Sequence, residues 1–216
     1  MSLEVCPRHR EATAHRGHCP ACLLEQAIAP HVAEDTAPVG RFTIEVPLGR
    51  SAHSSVFLVR GDWPWRRLLR LKQWAQPAPG RFLTRLTEVQ TGLEAFAHPS
   101  IVMPVAAWLE PDGTPAALTD FRQGIPLLHA VACGRLGGAA AVSLVRELRE
   151  VVVSAHGAGL VHGSVGPGNV FVSASGDMAF VLDFGFKPAL FTASGDDTWR
   201  AADLSGFDAL ESRVRA

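Results

Sequence analysis

Four residues near the start of the chain have the types and spacing of a metal site. Cys6-Pro-Arg-His9 and Cys19-Pro-Ala-Cys22 each place two donors three positions apart. Tetrahedral zinc takes four sulfur or nitrogen donors, and two tight pairs deliver them with little loop to order. The segment is too short for a hydrophobic core of its own, so the metal would be its main source of order. His15 and His18 are alternative donors to His9. Thiol–disulfide exchange at Cys19-x-x-Cys22 is the other chemistry open to the motif, but no βαβ pattern surrounds it. The remaining cysteine, Cys133, stands apart and reads as an ordinary packed thiol.

A second set of polar residues is scattered along an otherwise apolar chain. The turn Leu48-Gly49-Arg50-Ser51-Ala52-His53-Ser54-Ser55-Val56 precedes Leu69-Arg70-Leu71-Lys72, and both precede Glu88. Far downstream come His156-Gly-Ala-Gly-Leu-Val-His162, Gly163-Ser164-Val165-Gly166-Pro167-Gly168-Asn169 and Asp183-Phe184-Gly185.

The elements that must position these residues are legible from periodicity. Phe42, Ile44 and Val46 alternate with polar residues, which predicts a half-buried strand. Further strands are predicted over Val56–Val59 and Leu68–Trp74. A helix is predicted over 81–97, from Phe82, Leu86, Val89, Leu93 and Phe96 at spacings of three and four. Pro99 stops it, and strands are predicted over Ile101–Trp108 and Pro115–Phe121 around a Pro-Asp-Gly turn. Val142, Val145, Leu148, Val152 and Ala155 predict a second helix, with Arg146, Glu147, Arg149 and Glu150 opposite as its polar face. Gly157 and Gly159 end it. A hairpin follows, Val170–Ser173 and Ala179–Leu182. The arrangement is α+β: a strand-rich lobe with one helix, then a helical lobe with a small hairpin. We delimit a zinc knuckle over 1–29, a Pro-containing linker over 30–40, a first lobe over 41–121 and a second over 122–216.

In this order and at this spacing, the motifs resemble those of bacterial-type Ser/Thr protein kinases over Arg41 to Gly185. The resemblance implies a two-lobed kinase-like fold with a shortened helical lobe. Gly49, Ser51 and Val56 match the loop that covers phosphates. Glycines there let backbone amides reach phosphate oxygens, and only Gly49 is kept, since Ser51 and Ser54 replace the other two. Lys72 matches the anchor of the α- and β-phosphates, with Glu88 as its expected helix partner, one position off the family spacing. Backbone groups near Asp120 to Arg122 match the segment that bonds the adenine edge. Asn169 and Asp183 match the two magnesium-holding residues, so the resemblance implies ATP and Mg2+ as ligands. Asp203-Leu-Ser-Gly-Phe207 faintly resembles the start of the helix whose aspartate braces the catalytic loop.

The departures fall on phosphoryl transfer. Ser164 stands where the family has the aspartate that accepts the substrate's proton, and a hydroxyl is too weak a base near neutral pH. Gly166 replaces a lysine beside the transferring phosphate, and Gly163 an arginine that answers to a phosphorylated activation segment. The resemblance therefore implies a pseudokinase, a regulatory or scaffolding module that keeps nucleotide binding without transfer. An active kinase or other phosphoryl or nucleotidyl transferase with a rearranged base is one alternative; an interaction module with no nucleotide is the other.

The bulk composition limits the partners. A formal net charge of −1 with 47% hydrophobic residues gives no footprint for nucleic acid. The basic run Arg66 to Lys72 reads as a strand with one solvated basic face. No apolar stretch approaches the ~20 residues of a membrane span, and the first residues lack the apolar core of a signal peptide. These features predict a cytoplasmic protein. Only residues 186–216 follow Gly185, and so short a lobe is expected to leave an apolar face for a protein partner or a second copy.

Overall fold

The computed structural model describes residues 42–61, 67–191 and 196–215, together with two short strands, β1 (Glu4–Val5) and β2 (Thr13–Ala14), which pair antiparallel. The zinc ligands expected at Cys6, His9, Cys19 and Cys22 and the linker over 30–40 lie outside the described residues.

The first lobe is a five-stranded antiparallel sheet with one helix. Its strands are β3 (Phe42–Arg50), β4 (Ser54–Gly61), β5 (Leu68–Trp74), β6 (Pro104–Leu109) and β7 (Pro115–Asp120), in the spatial order β3-β4-β5-β7-β6. β5 is central, and Leu69 and Leu71 point into a core with Val59, Trp108, Ala116 and Leu118. Because side chains alternate along a strand, Arg70 and Lys72 share the opposite face. Helix α1 (Phe82–Phe96) buries Phe82, Leu86 and Leu93.

The second lobe carries β8 (Gly124–Pro126), α2 (Leu127–Ala132), α3 (Gly138–Gly157), β9 (Val170–Ser173), β10 (Ala179–Val181), α4 (Phe186–Leu190) and α5 (Asp196–Arg215). β8, β9 and β10 form a second antiparallel sheet. The largest core cluster joins Leu148 and Val152 of α3 to Phe184, Phe207, Leu210 and Val214. Leu93 of α1 enters the same cluster, so the helix of the first lobe is seated on the second.

Several expectations need correction. The strand predicted from Ile101 begins at Pro104. Ile101 instead bridges in parallel to Val181, and Val102 N–H donates to the Val181 carbonyl at 3.0 Å. This apolar run stitches the two lobes together. Val142 is only partly buried, and Ala141 and Leu144 take core positions beside Val145. The polar face of α3 is not wholly solvated, because α5 packs along it: Arg146 pairs with Glu211 at 2.8 Å and Arg149 with Asp208 at 2.7 Å. The short elements β8 and α2 carry too few residues to show a period, and the sequence pattern does not announce them. Cys133 is exposed just after α2 rather than packed. Among the described residues no helix is long and apolar enough to cross a membrane.

The contribution of α5 should come from its apolar anchor rather than its ion pairs. Phe207 is fully buried, and Phe207→Ala is expected to cost about 3–5 kcal/mol. Arg146→Ala removes an exposed pair and should cost under ~1 kcal/mol. Urea unfolding of the two variants checks the contrast.

Candidate functional site

The cleft between the lobes is organised by two buried carboxylates. The first is Asp203, fully buried on α5. Its Oδ2 accepts the backbone N–H groups of His162 at 3.1 Å and Gly163 at 3.0 Å, and Oδ1 accepts that of Val165 at 3.4 Å. His156, in the last turn of α3, approaches the same Oδ2 with Nε2 at 3.1 Å. One side chain thereby fixes the backbone of the loop from His162 to Val165. The faint match at Asp203 is in this way given a geometric counterpart.

The loop is further held by His162, also fully buried. Its Nε2–H donates to the Leu182 carbonyl at 2.9 Å, and Nδ1 accepts the Ser164 N–H at 3.0 Å. That pattern requires a neutral imidazole. Burial, the largest influence, accordingly holds its pKa below the ordinary value against the charge of Asp203. His162 packs edge-on against Phe184 at 5.2 Å.

Ser164 sits on this loop with polar contacts to His162 and Asn169. Asn169 Nδ2 donates to the Ser164 carbonyl at 2.8 Å and approaches its Oγ at 3.4 Å. Gly163 adopts φ +77°, and a Cβ there would lie 2.6 Å from Pro188. The arginine of the family pattern therefore has no room in this backbone. Gly166 is different: a Cβ would meet nothing within 4 Å.

The second carboxylate is Asp183, 4% exposed and at φ +64°, a left-handed conformation uncommon for a residue with a side chain. Gly185, at φ +77°, follows, and a Cβ there would strike Val89 of α1 at 2.6 Å. Asp183 is clamped from the sheet by two cations. Arg70 Nη1 donates to Oδ1 at 2.6 Å, and Arg70 Nη2 lies 3.4 Å from Oδ2. Lys72 Nζ donates to Oδ2 at 2.5 Å. Their side chains are only 10% and 17% exposed. Burial works to raise the Asp183 pKa, but the charges of Arg70 and then Lys72 outweigh it and lower it from 3.8 to about 2.

This clamp corrects three expectations. The face of β5 that carries Arg70 and Lys72 is not solvated; it is closed against Asp183, which neutralises part of its charge. Glu88 is not the partner of Lys72: it is 60% exposed on α1 and its contact is Arg85, at 3.5 Å. The α1 residue turned inward beside it is Val89, so the one-position offset in spacing has a structural consequence. Of the expected magnesium pair, Asp183 is engaged by protein cations. Both Asp183 oxygens face cationic donors, and Asn169 turns its amide nitrogen to Ser164. A magnesium ion needs free oxygens at about 2.0–2.1 Å; both Asp183 oxygens are taken by cations, whereas the Asn169 bond uses only Nδ2 and leaves its Oδ1 uncommitted. Arg70 is the site residue that the motif pattern does not single out; its spacing of two from Lys72 on a strand is the available signal.

The remaining predicted residues fall around the cleft. Gly49 and Val56 pair across β3 and β4, and Val56 pairs with Lys72 across β4 and β5. Ser51 Oγ accepts the N–H groups of His53 at 3.2 Å and Ser54 at 3.0 Å, tying the turn to itself. A Cβ at Gly49 would meet nothing within 4 Å, so the protein's own packing does not require glycine there. Asp120 ends β7 and pairs with Arg67 at 2.8 Å. Arg122 donates to the Pro99 carbonyl and lies over the Phe180 ring at 6.0 Å. Among the described residues, no group of three or more His, Cys, Asp or Glu side chains is placed to hold a metal ion.

No protein-family model matches the chain. It is 27% identical over 149 residues to the Serine/threonine-protein kinase pkn2 of Myxococcus xanthus, a match covering 68% of this chain and 18% of that protein. It is 30% identical over 158 residues to the Serine/threonine-protein kinase PkaB of Streptomyces coelicolor, covering 72% of this chain and 36% of that protein. The chain thus spans well under half the length of these relatives. A crystal structure of Rad53 1–466 in complex with AMP-PNP matches with a TM-score of 0.61 at 17% identity, covering 80% of this chain and 47% of that one. The chain has a kinase-like fold and is a distant relative of bacterial Ser/Thr protein kinases.

The depressed Asp183 pKa fixes the sign of a pH effect. Above the ordinary value of 3.8 the carboxylate is charged in both folded and unfolded chains, and its stabilisation is complete. As pH falls towards about 2 the unfolded chain is protonated first, and that stabilisation is lost. The stability advantage of the parent over Asp183→Asn should therefore shrink by about 1 kcal/mol between about pH 6 and pH 3. Urea unfolding across that range measures it.

Proposed function

We propose that this chain is a kinase-like module without phosphoryl-transfer activity, which binds nucleotide between its lobes and acts as a regulatory or scaffolding unit through a protein partner. The observation that carries the reading is Ser164, held by His162 and Asn169 where the kinase pattern has its proton-accepting aspartate. Loss of a positioned base lowers rates by roughly 10²–10⁴. Gly166 removes a cation from the same loop, and Gly163 is locked as glycine by Pro188.

Nucleotide binding is supported by different residues. Lys72 and Arg70 leave one positive charge in excess of Asp183 in a cleft with low exposure. Thr119 stands opposite Arg70 on β7, and its buried hydroxyl has no hydrogen-bond partner. Gly49 is unconstrained by the protein's own atoms. The solved neighbour Rad53 1–466 is in complex with AMP-PNP, which supports nucleotide binding by this fold. We assign base contact to backbone groups near Asp120 to Arg122 and phosphate contact to Lys72, within lobes over 41–121 and 122–216. A zinc knuckle over 1–29 and a cytoplasmic setting complete the proposal.

Phosphate transfer from labelled ATP separates this reading from that of an active transferase. The parent and Ser164→Ala are expected to give equally negligible transfer to protein substrates and to themselves. Robust transfer by the parent that is lost in Asp183→Ala would show that another group supplies the base.

Elemental analysis tests the knuckle. The purified protein should carry one zinc per chain, and the paired substitutions Cys19→Ser and Cys22→Ser should bring the content near zero. Metal-free protein that stays so after zinc is added would sink the assignment.

A further inference from the structure

We propose that Arg70 takes the place of a divalent cation at Asp183, so that nucleotide polyphosphate binds this cleft without magnesium. The proposal rests on the reading of the cleft as a nucleotide site and concerns what balances charge within it.

The placement of Arg70 follows from register. On β5, Leu69 pairs with Asp120 and Lys72 with Ala117 of β7. Arg70 therefore lies between Lys72, the phosphate anchor, and the segment after Asp120 that joins the lobes. It shares a face with Lys72, about 7 Å from it along the strand. Its guanidinium ends on Asp183 Oδ1 at 2.6 Å, beneath the strip that would run from base to phosphates. A fixed positive group thus occupies the carboxylate that a metal would need.

Charge arithmetic then favours one ligand over another. A magnesium ion at Asp183 would stand beside two monocations already bound to the same carboxylate. It would have to displace at least one of them or bear the repulsion in a site with little water. A polyphosphate faces the opposite situation. A guanidinium has five N–H donors and an ammonium three. Asp183 takes two contacts from Arg70 and one from Lys72. The unspent donors can bond phosphate oxygens while the clamp stays closed, and a guanidinium matches phosphate geometry in pairs of bonds. Asn169 holds the loop through its amide nitrogen, and its Oδ1 alone does not make a magnesium site.

The sign of one substitution separates this arrangement from a magnesium site. If Asp183 held a metal, Asp183→Asn would weaken nucleotide binding. If Asp183 competes with phosphate for Arg70 and Lys72, the same change frees both cations and strengthens it.

Thermal unfolding of the full chain with ATP in EDTA and with ATP and magnesium tests the idea, using parent, Arg70→Ala and Asp183→Asn. At a hundredfold excess over the dissociation constant the parent should gain roughly 5–10 °C, equally with and without magnesium. Arg70→Ala should lose the gain in EDTA and recover it with magnesium. Asp183→Asn should reach the same gain at a lower ATP concentration than the parent, which keeps the test open if Arg70→Ala does not fold. A parent shift that vanishes in EDTA overturns the proposal and leaves the nucleotide reading intact. A shift seen in Arg70→Ala but not in the parent also overturns it, making Arg70 a plug rather than a counter-ion. No shift in any variant overturns both.

Discussion

A carboxylate closed between two lobes has to be neutralised, and much of this structure can be understood from how Asp183 meets that requirement. Leaving such a group buried and unpaired costs several kcal/mol, and breaking a buried pair typically costs about 3–5 kcal/mol. Asp183 is reached from the helical lobe through the hairpin strand β10, whereas its counter-charges come from the central strand of the sheet. The ion triad is therefore also a fastening between lobes. It acts beside the apolar stitch of Ile101 and Val102 on Val181 and the seating of Leu93 in the second core. Dispersion and burial supply most of the adhesion; the triad adds direction, because only one registration of sheet against hairpin brings both cations to one carboxylate.

Asp203 plays a parallel part inside the second lobe. A loop of small residues, Gly163 to Gly168, has no side chains with which to hold its own shape. Three backbone N–H groups and one imidazole converge on a single buried carboxylate instead. The loop is thus kept in order by its neighbours rather than by its own side chains. Buried backbone N–H groups need partners whatever the loop's chemistry, and Asp203 supplies them.

How far the sequence foretells this follows from what each signal encodes. Periodicity reports burial of long elements, so it places β5 at Leu68–Trp74 and α1 within a residue at each end. It does not report what a face is buried against. Arg70 and Lys72 alternate with leucines in the manner of a strand with water on one side, and only the third dimension shows a carboxylate there. Glu88 misleads for a related reason: on a helix one position is a turn of about 100°, enough to move a side chain from the cleft to solvent. Val89 faces inward, packed against Gly185, and Glu88 does not. Helix α5 lies in a stretch dominated by charged and small residues; its apolar anchors Phe207, Leu210 and Val214 keep helical spacing but mark only its second half. The motif at Asp203 does signal it, because a buried carboxylate leaves a trace in residue type even where periodicity is weak.

The two halves of the cleft have departed from the kinase pattern under different constraints. On the transfer side, Gly163 cannot regain a long side chain while Pro188 occupies the space beside it, whereas Gly166 lies open and Ser164 is only partly buried. Loss there is reinforced by packing at one position and free at the others. On the binding side Lys72, Asn169 and Asp183 are all present, but each is engaged by a neighbour in the chain. Lys72 and Arg70 hold Asp183, and Asn169 holds Ser164. With these charged groups paired within the chain, the cleft does not depend on a ligand to stay folded; a ligand that enters meets the unspent donors of Arg70 and Lys72 and the unpartnered Thr119 hydroxyl. A ligand held by donors of both lobes would bridge them, and a bridge of that kind is a physical means of biasing how the lobes are held together.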